Sequence, residues 1–389
     1  MCSSLDQCHD PRYGIPNTVS VATQPRRPEP FRQECLLDDL EPASSVRSGP
    51  QGPVVQISGR RFETTVVFDT FWRFAAARQG LYEARLARRP GPWTDDPILR
   101  QHRFTNCFRA ADRVSQFGIQ RVAYSGPQDP REVIFRILLF KMFNKIETWR
   151  LLEDALGDLT WATFDPVAYD EVLSGAFGSG TRLYSAAYVV PPPAFGAARK
   201  HTNHLRLIEF MMRSGVADRV LEVGSMSEAF ELLRGCPAMG DFLAYQFLID
   251  INYSTAINFD EMDFVVPGPG ARDGIRKCFG PPARGFEADI IRYMAEHQAE
   301  HFSRLGLTFR GLRGRPLQLI DCQNLFCEVD KYARVAHPEV AGVSGRTRIK
   351  QRFAPSQQPL PAWFPPKWGL AAEPEAIDLA WVGEAPVLV

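Results

Sequence analysis

An all-α fold is predicted, and three observations predict it. Apolar residues recur at helical spacing over long stretches, most clearly at 131–156. There Phe135, Leu138, Leu139, Met142, Ile146, Trp149 and Leu152 form one wide stripe, the mark of a core helix. Helix starts carry capping-box spacing at Ser225/Glu228 and Asp129/Glu132, the second with Pro130 at the first helical position. Against these stands a short strand-like piece at 53–57.

Composition narrows the classes. The 389 residues suffice for one large core or two modest ones, with hydrophobic content of 45% and charged content of 23% ordinary for a globular protein. The 45 basic residues are matched by 45 acidic ones, so any nucleic-acid surface must be a local patch. Eight cysteines without regular spacing do not make a disulfide framework and suit a reducing compartment. The N-terminal MCSSLDQCHD lacks the apolar core of a signal peptide, and no apolar run reaches membrane-span length. An intracellular protein, nuclear or cytosolic and without a membrane partner, is expected.

In chain order, residues 1–60 are rich in Pro, Gln, Ser and Arg and read as a disordered arm. A helical domain is expected over 61–353. Its first helix has Asp69 as a cap and Phe71, Phe74, Leu81 and Tyr82 at helical intervals; next, Phe104, Phe108, Ala111 and Val114 share a face, with Arg103, Arg109 and Arg113 elsewhere. The 131–156 helix follows, with Asn144, Lys145 and Glu147 as a polar set towards its end. A glycine-rich loop at 178–191 leads into a helix where His201 and His204 are expected at the surface or helix start. Residues 315–353 end in a basic run, Arg346, Arg348, Lys350 and Arg352. From 354 to 389 the chain is proline-rich and then acidic, and reads as a disordered tail.

Residues 234–274 concentrate the signals for function. A helix capped at Ser225 stops at Gly235 and Pro237, a tight turn follows at 236–240, and a second helix opens at Asp241. Gly240 lets the backbone approach a ligand, and the exposed amides of a helix start favour an anion. An acidic loop with Asp260, Glu261 and Asp263 comes next. The hairpin CPAMG followed by Asp263, 23 residues past Gly240, resembles the helix-hairpin-helix of base-excision DNA glycosylases. Ala238 stands at the first hairpin glycine, and Asp241 and Phe242 stand where lyase-type members carry a lysine. The order of helices and turns over 129–279 is similar to that superfamily. The resemblance implies a glycosylase-like helical domain in which Gly240, Asp241 and Phe242 meet the DNA backbone.

Several blocks resemble one narrower family: WTDDPIL, RFTNCFRAADRVSQ, ILLFKMFNKIETW, GDFLAYQFLIDINYS, EMDFVVPGPGARDGIRKCF and RPLQLIDCQNLFCEVDKYARVAHPE. It is the helical domain attached to 5-hydroxymethyl-deoxyuridine (5-hmdU) DNA kinases, similar also to proposed α-glutamyl/putrescinyl-thymine pyrophosphorylases. The resemblance implies work on thymine-derived bases in DNA. Its kinase relatives phosphorylate the 5-hydroxymethyl group, and the transferase relatives replace a pyrophosphate with an amine. A phosphate-cradling loop of the G-x-x-x-x-G-K-[ST] kind is supplied neither at 178–185 nor at 268–277, so autonomous phosphorylation is not expected.

A base in DNA must be turned out of the duplex to react. Asp263 is the first candidate for the charge at the reacting carbon, and its bland alternative is a helix cap. Asp250 is the reserve candidate, alternatively a buried structural acid. Asn144, Lys145, Glu147, Tyr184, Gln323 and Asn324 are the expected base pocket, Gln and Asn being the usual readers of base edges, although a bracing network is an equal alternative for the last two. Arg346, Arg348 and Lys350 would hold phosphates or form a solvated arm. Cys322, Cys327 and His337 lack a second cysteine pair, so neither a metal nor a cofactor is expected. Two functions remain: an enzyme acting on a modified pyrimidine in DNA, by group transfer at the 5-methylene or by glycosidic cleavage; or a non-catalytic module that recognises modified DNA and positions a separate kinase or oxygenase.

Overall fold

The chain enters its fold through a β-hairpin, β1 (Gln51–Ile57) paired antiparallel with β2 (Arg60–Thr65). Ser58 and Gly59 turn it, both at positive φ (47° and 75°), as a two-residue hairpin turn demands. A computed structural model describes residues 51–354, 360 and 362–370; the arm up to residue 50 and the tail from 371 lie outside the described residues. The boundary expected at residue 60 falls inside the hairpin, because Val55, Ile57 and Phe62 bury one of its faces.

Among the described residues all else in regular form is helical. The helices are α1 (Val66–Leu86), α2 (Pro97–Gln101), α3 (Arg113–Phe117), α4 (Pro130–Phe143), α5 (Ile146–Leu156), α6 (Pro166–Gly178) and α7 (Lys200–Arg213). There follow α8 (Val216–Glu222), α9 (Met226–Arg234), α10 (Asp241–Asn252), α11 (Pro269–Phe279), α12 (Glu287–Glu296), α13 (Gln298–Arg304) and α14 (Leu319–Ala336), with short 3-10 turns between some of them. The fold is thus mostly helical, as the apolar periodicity predicts. Among the described residues no helix is long and apolar enough to cross a membrane.

Local expectations fail where one residue changes the backbone. The helix expected over 131–156 is two, because Asn144 takes the left-handed conformation (φ 49°) and caps α4. Thr65, not Asp69, caps α1, and Asp69 pairs with Arg304 instead. Glu132 does not reach back to its own cap; its carboxylate accepts from the backbone N–H groups of Trp161 and Ala162. His201 stands at the start of α7, one of the two places expected, and both it and His204 are buried.

α4 and α10 lie at the centre, their residues 133–143 and 243–249 buried on every face. α11 and α14 meet backbone to backbone. A Cβ at Gly274 would fall 2.0 Å from the Phe326 carbonyl oxygen, so glycine is what lets these helices touch. The tail expected to be disordered from 354 is instead packed at 362–370. Phe364 is buried, Trp368 meets Tyr253 edge to face, and the Lys367 ammonium donates to the carbonyls of Asn252, Ser254 and Ile257, satisfying the end of α10.

Candidate active site

One face of α10 organises the site. Phe242, Gln246 and Asp250 follow at intervals of four and so stack along one side of the helix. Asp250 is gripped by two cations from other elements. Arg109 Nη1 lies 2.5 Å from Oδ1, and Lys141 Nζ, from α4, lies 2.8 Å from Oδ2. Both cationic side chains are 2% exposed, whereas Asp250 keeps 20%, so the carboxylate is the member open to solvent.

The loop carrying Arg109 is fixed on both sides. The Arg109 amide donates to Asp321 Oδ1 at 2.8 Å, and Nε donates to Gln246 Oε1 at 3.1 Å. Asp321 is held in turn by the α14 capping box, its other oxygen accepting from the Gln318 amide. Across the loop, Asp112 accepts from the Asn106 amide, and Arg78 donates to the Asn106 side chain at 2.6 Å. Gln246 also donates to Gln323 Oε1 at 3.3 Å, and Gln323 donates to Cys327 Sγ at 3.5 Å, which extends the polar network along α14.

Aromatic rings roof the cluster. Tyr188, half-buried on the loop between α6 and α7, lies over the Lys141 ammonium at 3.9 Å and stacks on Phe242 (centroids 5.9 Å, planes 18° apart). Tyr253 meets Arg109 from another side at 5.5 Å. Glycines bring the α11 start close: a Cβ at Gly268 would strike the Phe242 ring, and one at Gly270 would strike Cys327 Sγ.

Burial and pairing set the charges. Burial alone would raise the Asp250 carboxyl, but Arg109 and Lys141 outweigh it and hold its pKa below the usual range. Burial pulls Lys141 down to about 8 against the opposing pull of Asp250, so part of it is free amine near neutral pH. Burial raises Asp321 to about 6, opposed by its two backbone donors. With Lys141 protonated, Arg109, Lys141 and Asp250 together carry one excess positive charge, suited to an anion.

The predicted residues are dispersed. Asp263 sits exposed on a turn beyond α10, its amide donating to Asp260 and its carbonyl accepting from Arg292. Asp250, the reserve candidate, is the one inside the cluster. Asn144 is the α4 cap; Lys145 and Glu147 pair with each other at 3.2 Å, with Arg113 beside Glu147. Tyr184 stacks on Phe143 with its hydroxyl on His204. Gln323 belongs to the network, while Asn324 beside it is half-buried. Phe242 packs within the site; Gly240 and Asp241 are exposed at the α10 start, and Ala238 in the turn before it is left-handed (φ 61°), the conformation that favours glycine there.

Arg346, Arg348 and Lys350 are exposed on an extended ribbon. It is tied down by Arg334 to the Arg348 carbonyl, by Arg103 N–H to Gln351 and by a bridge between His102 and Arg352. Arg100 and Arg103 are exposed beside it. Seven residues of α14 separate Arg334 from Cys327, roughly 10 Å along the helix. Among the described residues no group of three or more His, Cys, Asp and Glu could hold a metal ion.

Sequence reasoning named Arg109 only as a basic residue off the apolar face and passed over Lys141, Gln246 and Tyr188. A signal existed for Lys141, a lone ammonium in the apolar run ILLFKMF, and for Arg109 within CFRAA.

Comparison with known proteins agrees with these blocks. The chain is similar to the 5-hmdU DNA kinase of Bacillus phage SP10, 26% identical over 290 residues, which cover 68% of this chain and 45% of that protein. It thus spans about half the length of that relative. No solved structure matches it. The family described as 5-hmdU DNA kinase, helical domain, matches residues 65–342, which include every member of the Arg109–Lys141–Asp250 cluster. The chain belongs to the family of 5-hmdU DNA kinase helical domains.

Proposed function

We propose that this protein modifies a hydroxymethyluracil-type base in DNA by group transfer at the 5-methylene, at the Asp250 cluster. The observation that carries the reading is a solvent-reachable carboxylate clamped by two buried cations under an aromatic roof. The base enters extrahelically, as chemistry on a duplex base requires. Its 5-oxygen arrives as a phosphate or pyrophosphate ester made by a kinase acting first. The methylene C–O bond breaks with its electron pair leaving on the phosphoryl oxygen, and Arg109, permanently cationic, holds the departing anion. A primary amine forms the new C–N bond, and Lys141 in its free-amine form takes the proton the amine loses. Asp250 orients both cations and faces the positive charge that develops at the methylene.

Asp263, exposed to bulk water, would act through a screened field, so Asp250 replaces it as the favoured carboxylate. The basic ribbon and the α10 start at Gly240 and Asp241 are assigned to the DNA backbone. Residues 61–353 are proposed as the working domain, together with the hairpin from residue 51 and the packed segment 362–370. A separate kinase is the proposed partner.

The test is nucleoside mass spectrometry. DNA carrying hydroxymethyluracil, its 5-phosphate ester or its 5-pyrophosphate ester is incubated with the protein and a primary amine. Loss of an ester with gain of an amine-substituted base supports the reading. Recovery of all three bases unchanged, with tight binding retained, would move the protein to the recognition-module class.

A further inference from the structure

Tyr188 fills the space between Phe242 and Lys141. The residue holds a positive φ of 54°, a conformation that non-glycine residues rarely adopt. Its ring lies nearly parallel to Phe242 on one side and directly over the Lys141 ammonium. The loop around it is pinned at two points seven residues apart. His204 Nδ1 accepts from the Tyr184 hydroxyl at 2.9 Å, and Nε2 donates to the Pro191 carbonyl at 3.2 Å. One ring nitrogen accepting and one donating is neutral imidazole, as burial requires of His204. Only the tip between these pins would have to move, and beside Tyr188 it exposes Val189.

Building on the function proposed above, we infer that Tyr188 is a stand-in for the substrate: the space between Phe242 and Lys141 is the stacking site of the extrahelical pyrimidine, and Tyr188 leaves it when the base enters. A pyrimidine offers the same flat π face to Phe242 that the tyrosine ring does. It also puts its 5-substituent beside the cations, where the phenol now covers Lys141. Release of Tyr188 thus does two things at once: it opens the slot and frees the ammonium from its ring contact. Phe242 then serves as the stacking floor, with Gly268 close behind its ring, where an added Cβ would fall 2.6 Å away.

Affinity for a duplex with one unpaired hydroxymethyluracil 5-phosphate ester, against the same duplex with thymine, separates the possibilities. The ring size at position 188 is varied through Tyr188→Ala, Tyr188→Phe and Tyr188→Trp. The expected order is tightest for Ala by several-fold, Phe equal to the native chain, and Trp weakest, since an occupied slot lowers apparent affinity by the fraction of open molecules. Phe242→Leu is expected to weaken binding about 10-fold, the loss of one stacked base. Melting curves check that the variants stay folded; the Trp and Phe variants keep the test open if Ala disturbs the loop. Weaker binding by Tyr188→Ala would make Tyr188 a lasting partner of the base and overturn the inference, as would a series insensitive to ring size. In either case a native preference for the phosphate ester would leave the proposed function standing. No native preference for the modified duplex would overturn both.

Discussion

Gly274→Ala tests the helix contact on which the site is assembled. The added methyl would stand 2.0 Å from the Phe326 carbonyl oxygen, 2.7 Å from its carbon and 3.0 Å from its Cα. A comfortable carbon–oxygen contact is about 3.3 Å or more, so α11 and α14 must part by more than about 1 Å. Backbone atoms cannot rotate aside, so the cost belongs at the upper end of overpacking, about 3 kcal/mol. Alanine's better helix propensity returns about 1 kcal/mol, leaving a net loss of about 2 kcal/mol. That loss should lower Tm by about 3 °C in a fold of this size. Gly175→Ala in α6 is the control: nothing lies within 4 Å of its Cβ, and a gain of about 0.5–1 kcal/mol is expected. Thermal and urea unfolding of both variants beside the native chain supply the numbers. Equal stability of the two variants would refute the close backbone contact, and with it the placing of Gly270 against Cys327 one turn earlier.

Two further outcomes follow from charge. Lys141 has a pKa of about 8 in the fold against 10.5 for an ordinary lysine, so between these values the unfolded chain binds more protons and stability rises with pH. The rise should total about 3 kcal/mol and be missing from Lys141→Met; parallel stability curves for the two proteins would contradict the burial of a protonated Lys141. Reversing Arg346, Arg348 and Lys350 together to glutamate should reduce the log–log salt slope of duplex binding by about three, one per phosphate contact, and an unchanged slope would return the ribbon to bulk solvent.

The helical character and most helix starts were legible because apolar periodicity and caps are local. Ser225 caps α9 by its hydroxyl, with Glu228 supporting the adjacent Gly224 amide, and Pro130 opens its helix at the expected position. What is decided by tertiary contact was not. Nothing within 131–156 announces that Asn144 will turn left-handed, nor does the proline-rich tail announce that Lys367 will find three carbonyls at and just beyond the end of α10. The site suffered in the same way. Arg109, Lys141 and Asp250 are far apart in the chain, and each alone looks like a stray charge in an apolar helix or loop. Periodicity assigns such positions to the core, which is where they are; only the fold brings their charges together. Asp263 stood out by its distance from the hairpin, a cue that carries no information about burial.

The most direct test sets Asp250→Asn beside Asp263→Asn in the product assay on phosphate- and pyrophosphate-activated hydroxymethyluracil DNA. Each variant is assayed below its own melting temperature, since loss of the Asp250 charge leaves Arg109 and Lys141 buried without their anion. Turnover should fall about 10²–10³-fold in Asp250→Asn, the usual loss for one preorganised charge, and stay near native in Asp263→Asn. The reverse pattern, native turnover in Asp250→Asn and loss in Asp263→Asn, would contradict the Asp250 cluster as the reacting site.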